Sequence, residues 1–439
     1  MQVPIIARVR GLSWKNGRRC SVANERLPLS ASACPWEQAD TAFPFARVSP
    51  FDPPPQYARA RAQQPVLPVQ LWNGERAWVL TRQADIRAVL ADDERFSGRF
   101  AQAGFPTVTE ARVAVDRDER AFVGMDNPEH DRFRRMFTQE FSVRRMRALE
   151  PQITSIAEQL VADMVQAGSP QDLVERLAVP FPSLVMSLLF GSPFEDHRFI
   201  ITCAAARHGL TQTPGEAQSR ARQLADYVRA LIRERETQPR DDMVSRIIAE
   251  HVRPGHLSVD EFAEIGAMIL RAGHDTTTNM IGMGTLLLLR DAALMRRLIE
   301  QPQAIAAAVE ELLRFISPVQ FSPRRVARVD VEIGGVLIRA GEGLFLSLAS
   351  ANRDEAVFDQ PDRLDIDRAM GRHLTFGFGI HQCLGQVLAR IELQVLWGVL
   401  LRRLPELALD VAIEQIRFKH DMQIYGVHNL PVRWPQAKA

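Results

Sequence analysis

The chain has 439 residues, of which 46% are hydrophobic and 24% charged, with a formal net charge of +1. That is the profile of a globular protein without a charge excess aimed at nucleic acid or an anionic membrane. Its four cysteines, Cys20, Cys34, Cys203 and Cys383, are too few and scattered for a disulfide framework and show no zinc-ligand spacing. No stretch approaches the roughly eighteen apolar residues of a membrane span, and the opening residues are too broken for a secretory signal. The expectation is a cytoplasmic monomer with neither membrane nor nucleic-acid partner. Positive charge is nearly all arginine; the lysines are Lys15, Lys419 and Lys438.

In chain order, residues 1–40 mix Arg, Ser, Pro and Cys without periodicity and read as a loose tail. From there to residue 439 no linker, repeat or charge block interrupts the chain, which predicts one domain over 41–439. Residues 66–72 and 75–81 flank Asn73-Gly74, and 329–333 and 336–339 flank Gly334-Gly335; both patterns predict β-hairpins, because these turns need positive φ. Helical periodicity covers 83–91, 129–141, 143–167, 218–236, 304–315 and 384–404. A further helix starts at the capping box Ser258-Val259-Asp260-Glu261 and runs to about residue 290. The fold class is mainly α with small β-sheets. The centre of that long helix, Ala272-Gly273-His274-Asp275-Thr276-Thr277-Thr278, is poor helix material. It is where a kink is expected and where a local rule gives way to a function.

The run Phe376-Gly377-Phe378-Gly379-Ile380-His381-Gln382-Cys383-Leu384-Gly385 carries the chemistry. A lone Cys is ordinarily a buried thiol. Here glycines surround it, as a backbone passing under a flat macrocycle requires. The Cys also stands at a helix start, where free N–H groups favour a thiolate. Such a thiolate is a ligand for haem iron, and His381 is placed to meet a haem propionate.

The pattern F-G-x-G-x-[HR]-x-C-x-G resembles the haem loop of the cytochrome P-450 family, and the resemblance extends over essentially the whole chain after residue 40. Pro128-Glu129-His130 through Arg134 resembles the family's propionate-binding helix. Glu311-Leu312-Leu313-Arg314 resembles its ExxR motif, with Arg363 in Pro361-Asp362-Arg363-Leu364 as third member of a buried lock. Arg325 matches a further propionate-binding Arg. The resemblance implies a triangular helical fold with haem b between the long helix and the Cys loop. Cys383 is then the metal ligand, and Phe376, Gly377, Gly385, Ala272 and Gly273 lie against the cofactor. Many bacterial members carry His in place of Phe378, so one polar contact is expected to be missing.

An acid beside an alcohol can relay protons, and Asp275-Thr276 is the expected catalytic pair. The implied activity is a monooxygenase that inserts one atom of O2 into a small organic substrate by hydroxylation or epoxidation, as in secondary metabolism. Electrons derived from NAD(P)H would come through a separate ferredoxin and reductase, since no redox domain fits in the chain. They would arrive over Arg372, Arg390 and helix 129–141. The alternatives are a nitric-oxide-reductase-like enzyme, a peroxide-using enzyme and a non-catalytic haem-binding protein; the intact acid–alcohol pair speaks against all three. By family position the substrate pocket comprises residues 99–123 and 204–210, Met268, Ile269, Arg271 and Phe321. Arg271 stands where relatives carry an aliphatic residue, and a buried Arg needs an anionic partner. That partner is either a substrate acceptor or a neighbouring acid, the alternative being a guanidinium that snorkels to the helix edge.

Overall fold

The central helix Val259–Arg290 sets the frame of the fold. In this computed structural model, which describes residues 43–117, 119–205, 213–369, 371–420 and 422–435, the helix is assigned without a break. The expected tail at 1–40 lies outside the described residues. The 32 residues of the helix give a rod of about 48 Å. Its capping box is formed as predicted: Ser258 Oγ accepts from Glu261 N at 3.1 Å, and the Glu261 carboxylate accepts from Ser258 N at 2.8 Å. From Met280 to Leu288 every residue is buried, as in a helix enclosed by protein on all sides. Helices Pro180–Phe190, His197–Ala205 and Pro214–Thr237 pack against it.

The predicted run 143–167 is two helices, Val143–Ala148 and Glu150–Ala167. Pro151 lacks the N–H that a continuous helix would need, and it sits instead in the first turn of the second helix. Helices Pro55–Gln63, Pro180–Phe190 and Ala292–Glu300 were not among the predicted elements. Among the described residues no helix is long and apolar enough to cross a membrane.

Both hairpins form. Strands β1 (Val66–Gln70) and β2 (Arg76–Leu80) pair antiparallel, Val66 opposite Leu80. They continue into a five-stranded sheet with β3 (Phe96–Ser97), β4 (Arg324–Ala327) and β5 (Gly343–Leu346), in the order β1-β2-β5-β4-β3. The β2–β5 pair is parallel, a long-range contact that hairpin signals cannot reveal. Alternation along β4 sends Arg324 and Arg325 to different surroundings. Arg324 donates to Asp116 Oδ2 at 2.7 Å and to Pro106 O at 2.9 Å.

Helix Ile305–Ile316 carries the buried lock. Arg314 Nε and Nη2 donate to the two Glu311 carboxylate oxygens at 2.8 and 2.7 Å. The remaining N–H groups go to Asn352 O, Pro361 O and Arg363 O at 2.7, 2.8 and 3.1 Å. Arg363 is therefore corrected as a charged third member: it contributes its carbonyl, and its side chain is exposed. The second cation is Arg368, whose Nε lies 3.4 Å from Glu311. Arg363 precedes the turn that brings the chain back onto the helix, so only its backbone reaches inward.

Arg314→Ala strips the forked partner from a buried carboxylate and removes a donor from three inward carbonyls, of which Arg363 O keeps only Arg368 Nη2 at 3.3 Å. A loss of about 3–5 kcal/mol is expected in urea unfolding. Arg314→Lys should recover only part of it, because an ammonium cannot match the fork.

Candidate active site

The Cys383 loop owes its shape to two positive-φ residues, Gly377 (φ 70°) and Gly379 (φ 73°), a backbone region costly for other residues. Cys383 N donates to Phe376 O at 2.8 Å and closes the loop. Helix Gln386–Arg403 begins directly after it. Burial pushes the Cys383 thiol up, while the Gly385 N–H and the cations of Arg134 and Arg390 favour the thiolate. Cys383 is nevertheless exposed, and what it is exposed to is an internal cavity of about 330 Å³.

That cavity brings distant segments together. Its walls include Phe376, Gly377, His381, Cys383 and Gly385 of the loop, and Met268, Ile269, Ala272, Gly273 and Thr276 of the central helix. Arg134, Phe122 and Val123 also line it. Among the described residues no cluster of His, Cys, Asp and Glu could hold a metal ion, so a metal here needs a carrier that occupies its other positions.

Several unpartnered polar atoms test whether haem fits. His130 and His381 lie with ring centroids 4.4 Å apart. His130 Nδ1 and Nε2 and His381 Nε2 are buried without a hydrogen-bond partner. Burial, reinforced by Arg134, pulls His130 down to about 4. Burial, reinforced by Arg325, holds His381 well below the usual histidine range. Burial likewise brings Arg325 down to about 10. Arg325 stands beside His381: a Cβ on Gly98 would meet His381 Nε2 at 3.0 Å and Arg325 Nη1 at 3.5 Å. Arg134 reaches the loop itself, donating to Gln382 O at 2.5 Å. Two guanidinium groups and two neutral imidazoles with spare ring nitrogens, next to an apolar cavity holding a thiol, lack only an anionic acceptor. The carboxylates of a haem meet that need, so the residues present fit the cofactor.

On the central helix Thr276 Oγ1 donates to Ala272 O at 2.9 Å, and Asn279 Nδ2 donates to Asp275 O at 2.7 Å. Thr276 is at the cavity wall, while Asp275 is buried behind it. Burial pushes the Asp275 carboxyl up to about 6, within reach of neutral pH as a proton exchanger needs. A Cβ on Gly273 would come 2.6 Å from Met186 Sδ, so a larger residue could not keep this packing.

Some expectations need correction. Arg271 does not line the cavity; its Nη2 lies 3.0 Å from Glu119 Oε2, and both side chains are buried. Of the two partners left open, the neighbouring acid holds it. Phe321 also stays out of the cavity wall and packs on Phe43, centroids 5.9 Å apart, while Val319 and Ser322 face the cavity. Of residues 99–123, Phe122 and Val123 line the cavity. Residues 206–210 of the expected segment 204–210 lie outside the described residues, as do the side chains of 204 and 205. Arg390, expected as a free docking cation, holds Glu310 at 2.6 Å and covers the Phe376 ring at 4.4 Å. Phe378, where many bacterial members of the family carry His, is covered by the Arg87 guanidinium 4.0 Å from its ring.

Glu392 was missed. It lines the cavity, is buried, and is pushed by burial up to about 8, opposed by a Thr277 hydrogen bond. A lone acid in 384–404, beside Arg390, Arg402 and Arg403, reads as part of a solvated face. Its spacing to the buried Leu388 and Leu396, four residues to either side, was the available signal.

Arg271→Leu leaves Glu119 buried without the guanidinium. Destabilisation of about 3–5 kcal/mol is expected by thermal or urea unfolding, and the double change Arg271→Leu/Glu119→Leu should restore much of it.

Comparison with known proteins completes the assignment. The family pattern described as cytochrome P-450 matches residues 57–410. Cytochrome P-450-SU2 of Streptomyces griseolus is 43% identical over 385 residues, 88% of this chain and 94% of the relative. The 20-oxo-5-O-mycaminosyltylactone 23-monooxygenase of Streptomyces fradiae is 38% identical over 396 residues, 90% of this chain and 92% of the relative. The crystal structure of GfsF superposes with a TM-score of 0.84 at 41% identity, covering 90% of this chain and 100% of that one. The chain belongs to the cytochrome P-450 family, as a monooxygenase that works with haem, O2, electrons from a redox partner and a small-molecule substrate.

Proposed function

We propose that Cys383 would hold the iron of haem b through its thiolate, that His130, Arg134, Arg325 and His381 would hold its propionates, and that Asp275 and Thr276 carry protons to the reacting end of the cavity. The observation that supports this reading is one cavity lined by Cys383 on one side and by Gly273 and Thr276 on the other, with Asp275 buried behind Thr276. Bound through a thiolate, haem supplies oxygen activation, because the electron-rich sulfur favours O–O cleavage. The protein does the rest. Phe122, Met268, Ile269 and Val319 give an apolar wall that seats the substrate and excludes water. Thr276 Oγ1 holds a proton at the cavity surface, and Asp275, poised near about 6 by burial, replenishes it from behind.

The substrate we favour is a small, largely apolar intermediate of secondary metabolism, hydroxylated or epoxidised. The relative whose name specifies 20-oxo-5-O-mycaminosyltylactone supports that setting. Electrons derived from NAD(P)H arrive through a ferredoxin and its reductase. The haem domain spans 41–439 and acts as a cytoplasmic monomer. Exposed Arg132 and Arg135 on helix Glu129–Thr138 and exposed Arg372 offer cations to an acidic donor.

Two measurements test this reading. The reduced protein under carbon monoxide should show the thiolate-shifted Soret band, and Cys383→Ala should abolish it; a band that survives the substitution rules out Cys383 as ligand. With surrogate ferredoxin and reductase, Asp275→Asn should lower product formation about 100-fold with an unchanged ferric spectrum. In the parent protein, proton-limited turnover should fall as pH rises through about 6, because the proton-donating carboxyl form is lost there. Asp275→Asn should lack that limb.

A further inference from the structure

Of the three lysines in the sequence only Lys419 falls among the described residues, and it points inward. It lies on a C-terminal hairpin closed by the bridge between Phe418 and Val427, with Lys419 N donating to Gly426 O at 2.9 Å. Its ammonium donates to Asn279 Oδ1 at 2.9 Å. Asn279 sits one helical turn beyond Asp275 and donates to its carbonyl at 2.7 Å. The hairpin backbone is pressed onto this point: a Cβ on Gly426 would lie 1.9 Å from Asn279 Oδ1. A partly buried ammonium is costly unless an anion faces it, and the anion acting on Lys419 is Asp275.

The other groups facing Asp275 do not replace this charge. His274 Nε2 lies 3.9 Å from Asp275 Oδ1, but burial and the nearby Lys419 pull His274 down to about 4, so it is neutral at physiological pH. Arg271 also acts on Asp275, yet its guanidinium is matched by Glu119 at 3.0 Å. Lys419 is the stronger of the two cations acting on the acid.

We infer that Lys419 is a positioning residue for the proton relay: anchored on Asn279, it supplies the countercharge that lets Asp275 release a proton inside the protein and take one up again. The inference rests on the relay reading of Asp275 and adds the element that controls it. The bland alternative is that Lys419 only docks the hairpin. Charge separates the two, because Lys419→Gln keeps a donor for Asn279 and loses the cation, whereas Lys419→Arg keeps the cation.

The test is infrared pH titration of the Asp275 carboxyl band in the haem-loaded protein without substrate, the band being assigned by its loss in Asp275→Asn. Removing a nearby cation favours the neutral acid, so Lys419→Gln should raise the midpoint by about one pH unit. Lys419→Arg should return it toward the parent value. A midpoint unmoved in folded Lys419→Gln protein overturns the inference. Should that variant fail to fold, Asn279→Ala keeps the ammonium and cuts its anchor; the midpoint must again rise, and an unmoved one overturns the inference. The titration reads the effect of Lys419 on Asp275 whether or not Asp275 relays protons. Its failure is thus distinct from a normal turnover by Asp275→Asn, which would overturn the relay itself.

Discussion

The guanidinium of Arg314 has five N–H donors in a rigid fork, and every one is spent on a different anchoring task. Two hold Glu311 within the same helix, and three hold the carbonyls of Asn352, Pro361 and Arg363. The chain between Asn352 and Arg363 has little regular structure of its own, so these bonds substitute for a ladder. Asn352 passes the constraint on: its side chain accepts from Leu374 N at 2.7 Å and donates to Thr375 Oγ1 at 2.9 Å. Thr375 Oγ1 in turn donates to Leu313 O at 2.9 Å, back on the helix that carries Arg314. Phe376 and the Cys383 loop follow directly. The position of the sulfur is thereby tied, through three side chains, to one buried ion pair. A buried pair of this kind is weak evidence for net stability; its use here is to fix a loop in one geometry.

The cavity side of the loop shows the converse arrangement, in which polar groups are left without partners. His130 and His381 bury nitrogens that bond to nothing in the protein, and burial depresses Arg134 and Arg325. Each unmade bond costs free energy until an acceptor arrives. A dianionic cofactor that binds the folded chain and not the unfolded one offsets that cost and stabilises the fold by mass action.

What could be read from the sequence follows the same division. Groups that must be consecutive on one element were legible: the Cys loop, the Glu311/Arg314 pair, His130 and Arg134 one turn apart, and Asp275-Thr276. Both hairpins and the capped central helix were legible because turn and cap chemistry is local. What escaped depends on which segment lies opposite. Arg363 and Arg368 are both arginines in one meander, and only the fold decides which faces Glu311 with its side chain. Arg271 announced a buried charge, but Glu119 lies 152 residues away. Lys419 and Glu392 drew no reading from the sequence, because their surroundings depend on how the C-terminal hairpin and helix Gln386–Arg403 are seated against the central helix.

Those last two residues bear on one another. Asp275 and Glu392 are both buried carboxyl groups next to threonines of the central helix, and burial acts on both in the same direction. Glu392 rises to about 8 with only the Thr277 hydroxyl opposing. Asp275 stops at about 6, with Lys419 and Arg271 opposing. Glu392 is thus held further toward the neutral acid than Asp275, although their burial is similar. Hydrogen bonding does not account for the difference, since the Thr277 hydroxyl lowers Glu392, the group that rises further. The cations do, and they are present on one side only. A pair of carboxyl groups separated in this way can hold one proton and exchange another at the same pH, which two identically placed acids could not do.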